Sequence, residues 1–207
     1  MSAEVVSRAT PAAVPLAALL GEDWDRAVRA ADGTAIAELR PIVPEAAAPL
    51  DETSPLIETL CAWRNDNADR FLDPSRVTLQ STRQWLLALT GSPDRLLFVV
   101  HNADSRPVAQ YGLRRLSADV VELDNGILGV RGEHPDLFYR IQLRILGLCR
   151  DRLGFAEARA RVLADNIPAL FLHKRCGLKR LEALNIQGPN GRDVVLLGVR
   201  LTDVNTD

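Results

Sequence analysis

Lysine is nearly missing from this 207-residue chain: the only two are Lys174 and Lys179, so almost all of its 25 basic residues are arginine. The 27 acidic residues leave a net charge of −2. That balance gives no electrostatic reason to expect nucleic acid or an anionic membrane as a partner. Cysteine is equally scarce. Cys61, Cys149 and Cys176 are odd in number and widely spaced, which suits neither a disulfide framework nor a zinc site. Reduced thiols in a cytoplasmic protein are expected. No stretch approaches the ~18 apolar residues of a membrane helix. The N-terminal apolar patch is preceded by Glu4 and Arg8 and interrupted by Pro11 and Pro15, so no signal peptide is expected. There is no His/Cys/Asp cluster with metal spacing, no P-loop and no Gly-x-Ser-x-Gly elbow, and no metal is expected.

What is present is ordinary globular composition, 47% hydrophobic and 25% charged, at a length suited to one sizeable domain. Residues 1–33 read as an N-terminal helical extension. Ala12–Ala31 is Ala/Leu-rich with Trp24, Val28 and Ala31 at helical spacing, and Asp32-Gly33 ends it. The main domain, 34–207, starts with a strand over Thr34–Ile42. A helix from the cap Ser54 to about Asn65 carries Leu56, Leu60 and Trp63 on one face. A second helix covers Thr78–Leu89, with Thr78 or Ser81 as its cap. Three strands follow: Arg95–His101, Arg106–Leu113 and Ala118–Val130, the last interrupted by Gly126 and Gly129. Glycine inside a strand marks either a bulge or a close approach, by backbone or ligand.

An apolar helix over Leu137–Leu153 has Ile141, Ile145 and Leu148 at i, i+4, i+7. Next come a strand over Ala156–Ala164, a helix from Ile167 to Arg175, and strands over Leu178–Gln187 and Asp193–Leu201 joined at Gly188–Gly191. Antiparallel strands followed by a strand–helix–strand crossover predict an α+β fold, a mixed sheet with helices on its faces.

This order resembles the GCN5-related N-acetyltransferase (GNAT) family over about Ala35 to Leu201. The most specific part is Asn166-Ile-Pro-Ala169-Leu-Phe-Leu172-His173-Lys174-Arg175-Cys-Gly177-Leu178. Trp63-Arg64-Asn65-Asp66 is similar to a segment of the branch that contains the ribosomal-protein and amino-sugar acetyltransferases. Pro107–Leu113 looks like that branch's third strand. The resemblance implies a central mixed sheet of about seven strands, with helices on both faces. It implies that the fourth and fifth strands, Glu122–Val130 and Ala156–Ala164, splay apart. Acetyl-CoA or another acyl-CoA would fill the gap, its pantetheine pairing with Ile127, Leu128, Gly129 and Val130 like an added strand. Asn166 would hydrogen-bond that arm, cap the helix, or both. Trp63, Arg64 and Asn65 would lie toward the acceptor.

Two departures stand out. The family's glycine-rich phosphate loop should precede the Leu137 helix, where this chain reads His134-Pro-Asp-Leu-Phe-Tyr139. Pyrophosphate needs unobstructed backbone N–H groups at a helix start. Here Arg131, Tyr139 and Arg140 are the candidates to compensate, with His134 as a ligand contact or a cap. Second, His173 stands where the family has a tyrosine that protonates the leaving thiolate. An imidazolium, with an ordinary pKa of about 6.5, is able to protonate a thiolate, and a neutral imidazole is able to act as a base. Glu122 and Asp124 share one strand face, either as catalytic bases or as a solvated face.

The function implied is acyl transfer from acyl-CoA to the amine of a small molecule, an amino sugar or biosynthetic intermediate, by direct attack in a ternary complex. The altered loop keeps two other readings open: an acyl-carrier-protein or long-chain thioester as donor, or a non-catalytic binding domain. A homodimer is one assembly open to the chain.

Overall fold

The computed structural model describes residues 14–181 and 191–205, together with the backbone of 186–187. The first thirteen residues and most of the turn expected over Gly188–Gly191 lie outside the described residues.

The N-terminal segment departs from the single helix expected over Ala12–Ala31. Helix α1 spans only Leu16–Leu20, and Gly21 ends it at φ 67°. Ala27–Arg29 form a short strand, β1, antiparallel to β2 (Ala35–Ile42). Leu16, Leu20, Trp24 and Val28 all reach the core. Their spacing of four is helical, but here a helix followed by extended chain satisfies the same burial.

Three helices follow β2: α2 (Pro44–Ala47), α3 (Pro55–Asp66) and α4 (Leu79–Thr90). The start of α4 is fixed by a capping box. The Ser81 N–H donates to Thr78 Oγ1 at 3.1 Å, and the Thr78 N–H donates to Ser81 Oγ at 2.9 Å. Strands β3 (Arg95–His101), β4 (Pro107–Arg115) and β5 (Val120–Leu128) then continue the antiparallel run. Helix α5 (Leu137–Asp151) crosses over to β6 (Glu157–Leu163), which runs parallel to β5. Helix α6 (Ile167–Arg175) leads to β7 (Lys179–Arg180), β8 (Ile186–Gln187) and β9 (Asp193–Arg200).

Among the described residues the sheet has nine strands in the order β1-β2-β3-β4-β5-β6-β9-β7, with β8 also on β9. The count exceeds the expected seven because β1 adds an edge and the strand expected over Leu178–Gln187 is divided into β7 and β8. The expected fourth and fifth strands are therefore β5 and β6.

Strand β3, RLLFVVH, shows how the sheet carries helices on both faces. Leu97 and Val99 pack with Ile57, Leu60, Trp63, Leu86 and Leu89 of α3 and α4. Leu96, Phe98 and Val100 pack with Ile141, Ile145 and Leu148 of α5 on the other face. Each such side chain contributes roughly 1.5–3 kcal/mol on burial.

The feature that matters most for function is where β5 and β6 part. Their parallel pairing runs from Val120↔Glu157 to Leu123↔Ala160 and stops. Beyond it, β6 continues along β9 to Leu163↔Val194, while β5 continues along β4 to Ala109↔Leu128. The cause is local. Between the pairs Gly112↔Asp124 and Gln110↔Ile127, β5 has one residue more than β4, a bulge that bends it away from β6. Asn125 takes the left-handed conformation there, at φ 49°, which asparagine tolerates better than most residues. Gly112 makes room, since a Cβ on it would come within 2.9 Å of the Asp124 carbonyl oxygen.

Candidate active site

The parted strands open a cleft of about 970 Å³, lined from β4, β5, β6 and from α3 to α6. That is the upper end of the size range for small-molecule sites. Because strand side chains alternate, the cleft has two arms, one toward α5 and α6 and one toward α3 and α4.

On the α5/α6 side, Phe138, Ala169 and Leu172 give an apolar wall. Helix α6 starts at Asn166, whose Oδ1 accepts from the Ala169 N–H at 3.3 Å while its Nδ2 reaches the Arg70 carbonyl at 3.4 Å. It ends at Gly177, at φ 89°, with the Leu178 N–H donating to the His173 carbonyl at 3.0 Å. That closure places His173 in the cleft wall, partly buried, with Nδ1 buried and unpartnered. Burial pulls its pKa down to about 4. At neutral pH the ring is uncharged.

The α3/α4 side is rich in charge. Glu122 is buried on β5 with 5% of its side chain exposed, between Arg114 of β4 and Arg161 of β6. Arg114 Nε donates to Glu122 Oε2 at 2.7 Å, and Arg161 Nε to Oε1 at 2.5 Å. Next to this cluster, Arg95 of β3 pairs with Asp124, whose other oxygen accepts from the Asn125 N–H at 2.9 Å. Arg64 of α3 stacks on Phe71 at 4.1 Å and donates to the Asp73 carbonyl. Burial draws the Arg64 guanidinium below its ordinary pKa.

The structure changes several readings made from sequence. Glu122 and Asp124 are neither free bases nor a solvated face, because guanidiniums occupy their carboxylates. The imidazolium form of His173 is not its neutral-pH state. Trp63 does not line the cleft: it is buried over Gly129, where any Cβ would overlap the indole. What lies against Gly129 is the Trp63 side chain, neither another backbone nor a ligand, while Gly126 sits in the bulge. Asn65 is spent on the chain, accepting from the Val77 N–H at 2.8 Å and donating to the Val77 carbonyl at 2.9 Å. Of that trio only Arg64 lines the cleft. Ile127, Leu128 and Arg131 line it as well, whereas Gly129 and Val130 lie past it, their N–H groups both donating to the Val108 carbonyl at 2.9 Å.

At the start of α5, Tyr139 and Arg140 do not line the cleft. Tyr139 is stacked by Arg175 at 3.8 Å, and Arg175 pairs with Asp136 at 2.8 Å. His134 accepts from the Asp136 N–H at 3.2 Å, a local contact. The residues missed by sequence reasoning are Arg95, Arg114, Arg161, Thr82 and Gln110. For the arginines and Gln110 the signal was available, as charged or amide side chains within otherwise apolar strands, but their convergence depends on register; Thr82, a hydroxyl on α4, carried none.

No family model and no curated protein matches the sequence. Solved structures do match the fold. The spermidine N-acetyltransferase of Vibrio cholerae, in complex with CoA and spermine, aligns at TM-score 0.63 and 16% identity, over 80% of this chain and 96% of that one. A GNAT-family acetyltransferase from Bacillus anthracis aligns at TM-score 0.63 and 11% identity, over 81% and 96%. The N-acetyltransferase PseH of Campylobacter jejuni aligns at TM-score 0.57 and 13% identity, over 80% and 98%. This chain has the fold of the GNAT acetyltransferases.

Proposed function

We propose that the protein is an N-acyltransferase that moves an acetyl or other acyl group from acyl-CoA to the amine of a small molecule. The observation that carries this reading is the open β5 edge from Asn125 to Leu128, unpaired on the β6 side and facing a cleft large enough for two substrates. A pantetheine arm is a chain of amides and fits such an edge as an added strand. Its thioester carbonyl would then lie near the bulge, where a backbone N–H can stabilise the developing oxyanion. The acceptor nitrogen attacks that carbonyl directly. The C–N bond forms, the C–S bond breaks, and the thiolate leaves to take up a proton. The fold relatives are acetyltransferases, one of them holding CoA together with an amine, and this supports the same reaction class here.

His173 enters this scheme as a neutral imidazole beside the leaving sulfur, donating or accepting a hydrogen bond. Of the two roles open to it from sequence, imidazolium acid and neutral-imidazole base, this state suits the second. Asn166 keeps its capping bond, and of the two N–H groups on its Nδ2 one is directed to the Arg70 carbonyl and the other is left for the donor arm. Glu122 and Asp124 are both ion-paired, so proton removal from the acceptor ammonium passes through water or the neutral imidazole.

One observation favours a second donor. The entrance to α5 carries Asp136, paired with Arg175, and bulky Leu137, Phe138 and Tyr139 in place of glycines. A carrier-protein thioester presents the same pantetheine without the nucleotide, so it needs no open pyrophosphate seat. Thiol release measured with acetyl-CoA, a long-chain acyl-CoA and an acyl carrier protein, each with a panel of amines, decides between them. Release with CoA donors supports the first reading and release with the carrier alone the second. No release with any donor would overturn both.

A further inference from the structure

We infer that the arm of the cleft beneath α3 and α4 holds an anionic group of the acceptor, so that the substrate is a phosphate- or carboxylate-bearing amine and not a polyamine. This rests on the acyltransferase reading for the word acceptor, but the anion site itself does not.

Three observations on the cleft lining support it. First, the cleft lining holds six arginines, Arg64, Arg70, Arg95, Arg114, Arg131 and Arg161, against three carboxylates, Asp73, Glu122 and Asp124. In a chain whose net charge is −2, cation is concentrated here. Second, the acids are already engaged. Glu122 is held from both sides by Arg114 and Arg161, and Asp124 by Arg95 and its neighbour's N–H. The Asp73 carboxylate accepts from the Ser75 N–H at 2.9 Å. An ammonium chain would find Glu122 and Asp124 already ion-paired, with Asp73 the one lining carboxylate outside an ion pair among the described residues. One arginine would be enough to satisfy Glu122; two leave an excess positive charge, and both guanidiniums remain more than a third exposed toward the cleft.

Third, the cleft lining has polar atoms with nothing to bind. Among the described residues, five of the nine buried side-chain polar atoms without a partner belong to residues lining this cleft: Arg64 Nη1, Thr82 Oγ1, Arg95 Nε, Gln110 Oε1 and His173 Nδ1. Buried polar groups are ordinarily paired, and leaving a charged donor unpaired is costly. Two of the five are guanidinium N–H groups and a third is a hydroxyl able to donate. A phosphate or carboxylate, which only accepts, is the kind of group such donors bind.

The test uses matched amines that differ in charge: glucosamine 6-phosphate against glucosamine, 4-aminobutyrate against its amide, and spermidine. Each is titrated calorimetrically into the full chain without donor, and each is then assayed for thiol release from the active donor. The inference expects at least one anionic amine to bind about tenfold to a hundredfold more tightly than its uncharged counterpart. It expects that margin to shrink in Arg64→Gln and in Arg95→Gln, and as salt rises. The phosphate and carboxylate pairs tell which anion the wall prefers. Two variants on different elements guard against one that fails to fold, and their thermal melts report this directly. Arginine-dependent anion binding without turnover would keep the anion site and overturn the acyltransferase reading. Turnover of spermidine or uncharged amines at rates equal to the anionic ones would keep the acyltransferase and overturn the inference. Anion binding unaffected by both variants would overturn it too.

Discussion

The two arms of the cleft are finished to different degrees. Toward α5 and α6, most polar groups find partners within the wall: Asn166 caps α6, Arg175 holds Asp136 and covers Tyr139, and Gly177 closes the helix end. His173 is the exception among the residues lining the cleft there, and α5 behind it also leaves Arg140 Nε, Gln142 Nε2 and Arg144 Nε without partners. Toward α3 and α4, the charged groups pair with one another and still leave donors over. Among the described residues lining the cleft, the first wall leaves only His173 with an unpartnered buried polar atom, whereas the second leaves Arg64, Thr82, Arg95 and Gln110, unmet capacity that a ligand can fill. The difference suggests a division of labour between a donor arm read by backbone and shape and an acceptor arm read by charge.

The largest expected effect separates packing from recognition. Trp63→Ala removes the indole that lies on Gly129 and should cost about 3–5 kcal/mol in urea unfolding. If the loss is below 1 kcal/mol, Trp63 is not the buttress of β5 described here. The second concerns His173. Its folded pKa of about 4 lies below the ordinary 6.5, so the unfolded chain binds the proton first. The contribution is fully present above pH 6.5 and is lost as pH falls toward 4, by roughly 2–3 kcal/mol. Comparing stability against pH for the parent and His173→Gln isolates this from His101, which burial shifts in the same direction; superimposable slopes would contradict the burial of the ring.

Third, Glu122→Ala leaves Arg114 and Arg161 side by side without their shared carboxylate. Removing one partner of a fully buried pair costs about 3–5 kcal/mol, and the partial exposure of both arginines reduces this to about 2 kcal/mol. A thermal melt measures it, and an unchanged or raised midpoint would mean the cluster is not structural. The smallest effect is at the splay itself. Asn125→Val puts a β-branched residue at φ 49° and should cost about 1–2 kcal/mol. The same variant should reduce donor binding by regularising the bulge.

Much of this architecture was legible in the residues. Strand β3 and helix α6 lie where periodicity and their Asn and Gly ends place them, because short elements bounded by clear caps leave little freedom. The segment after α1 was not legible, since Leu16, Leu20, Trp24 and Val28 satisfy a helical spacing that tertiary burial meets with a strand. The site divided along the same line. Asn166 and His173 are marked by local motif, so sequence finds them. The partners of Glu122 are not, because Arg114 and Arg161 come from strands 8 and 39 residues away and meet it only through register. Trp63 and Asn65 looked like ligand contacts because a buried tryptophan over glycine and an asparagine bonded to a loop backbone leave no distinct trace in sequence.

The central claim is that the unpaired edge of β5 receives the pantetheine arm of a thioester. Amide hydrogen exchange across Asn125–Leu128, followed with and without millimolar acetyl-CoA, tests it most directly. The account predicts that exchange slows in this segment and in the first turn of α6 at Asn166, with little change at the closed end, Val120–Leu123. Binding that leaves 125–128 unprotected, or no protection anywhere at that concentration, would contradict it.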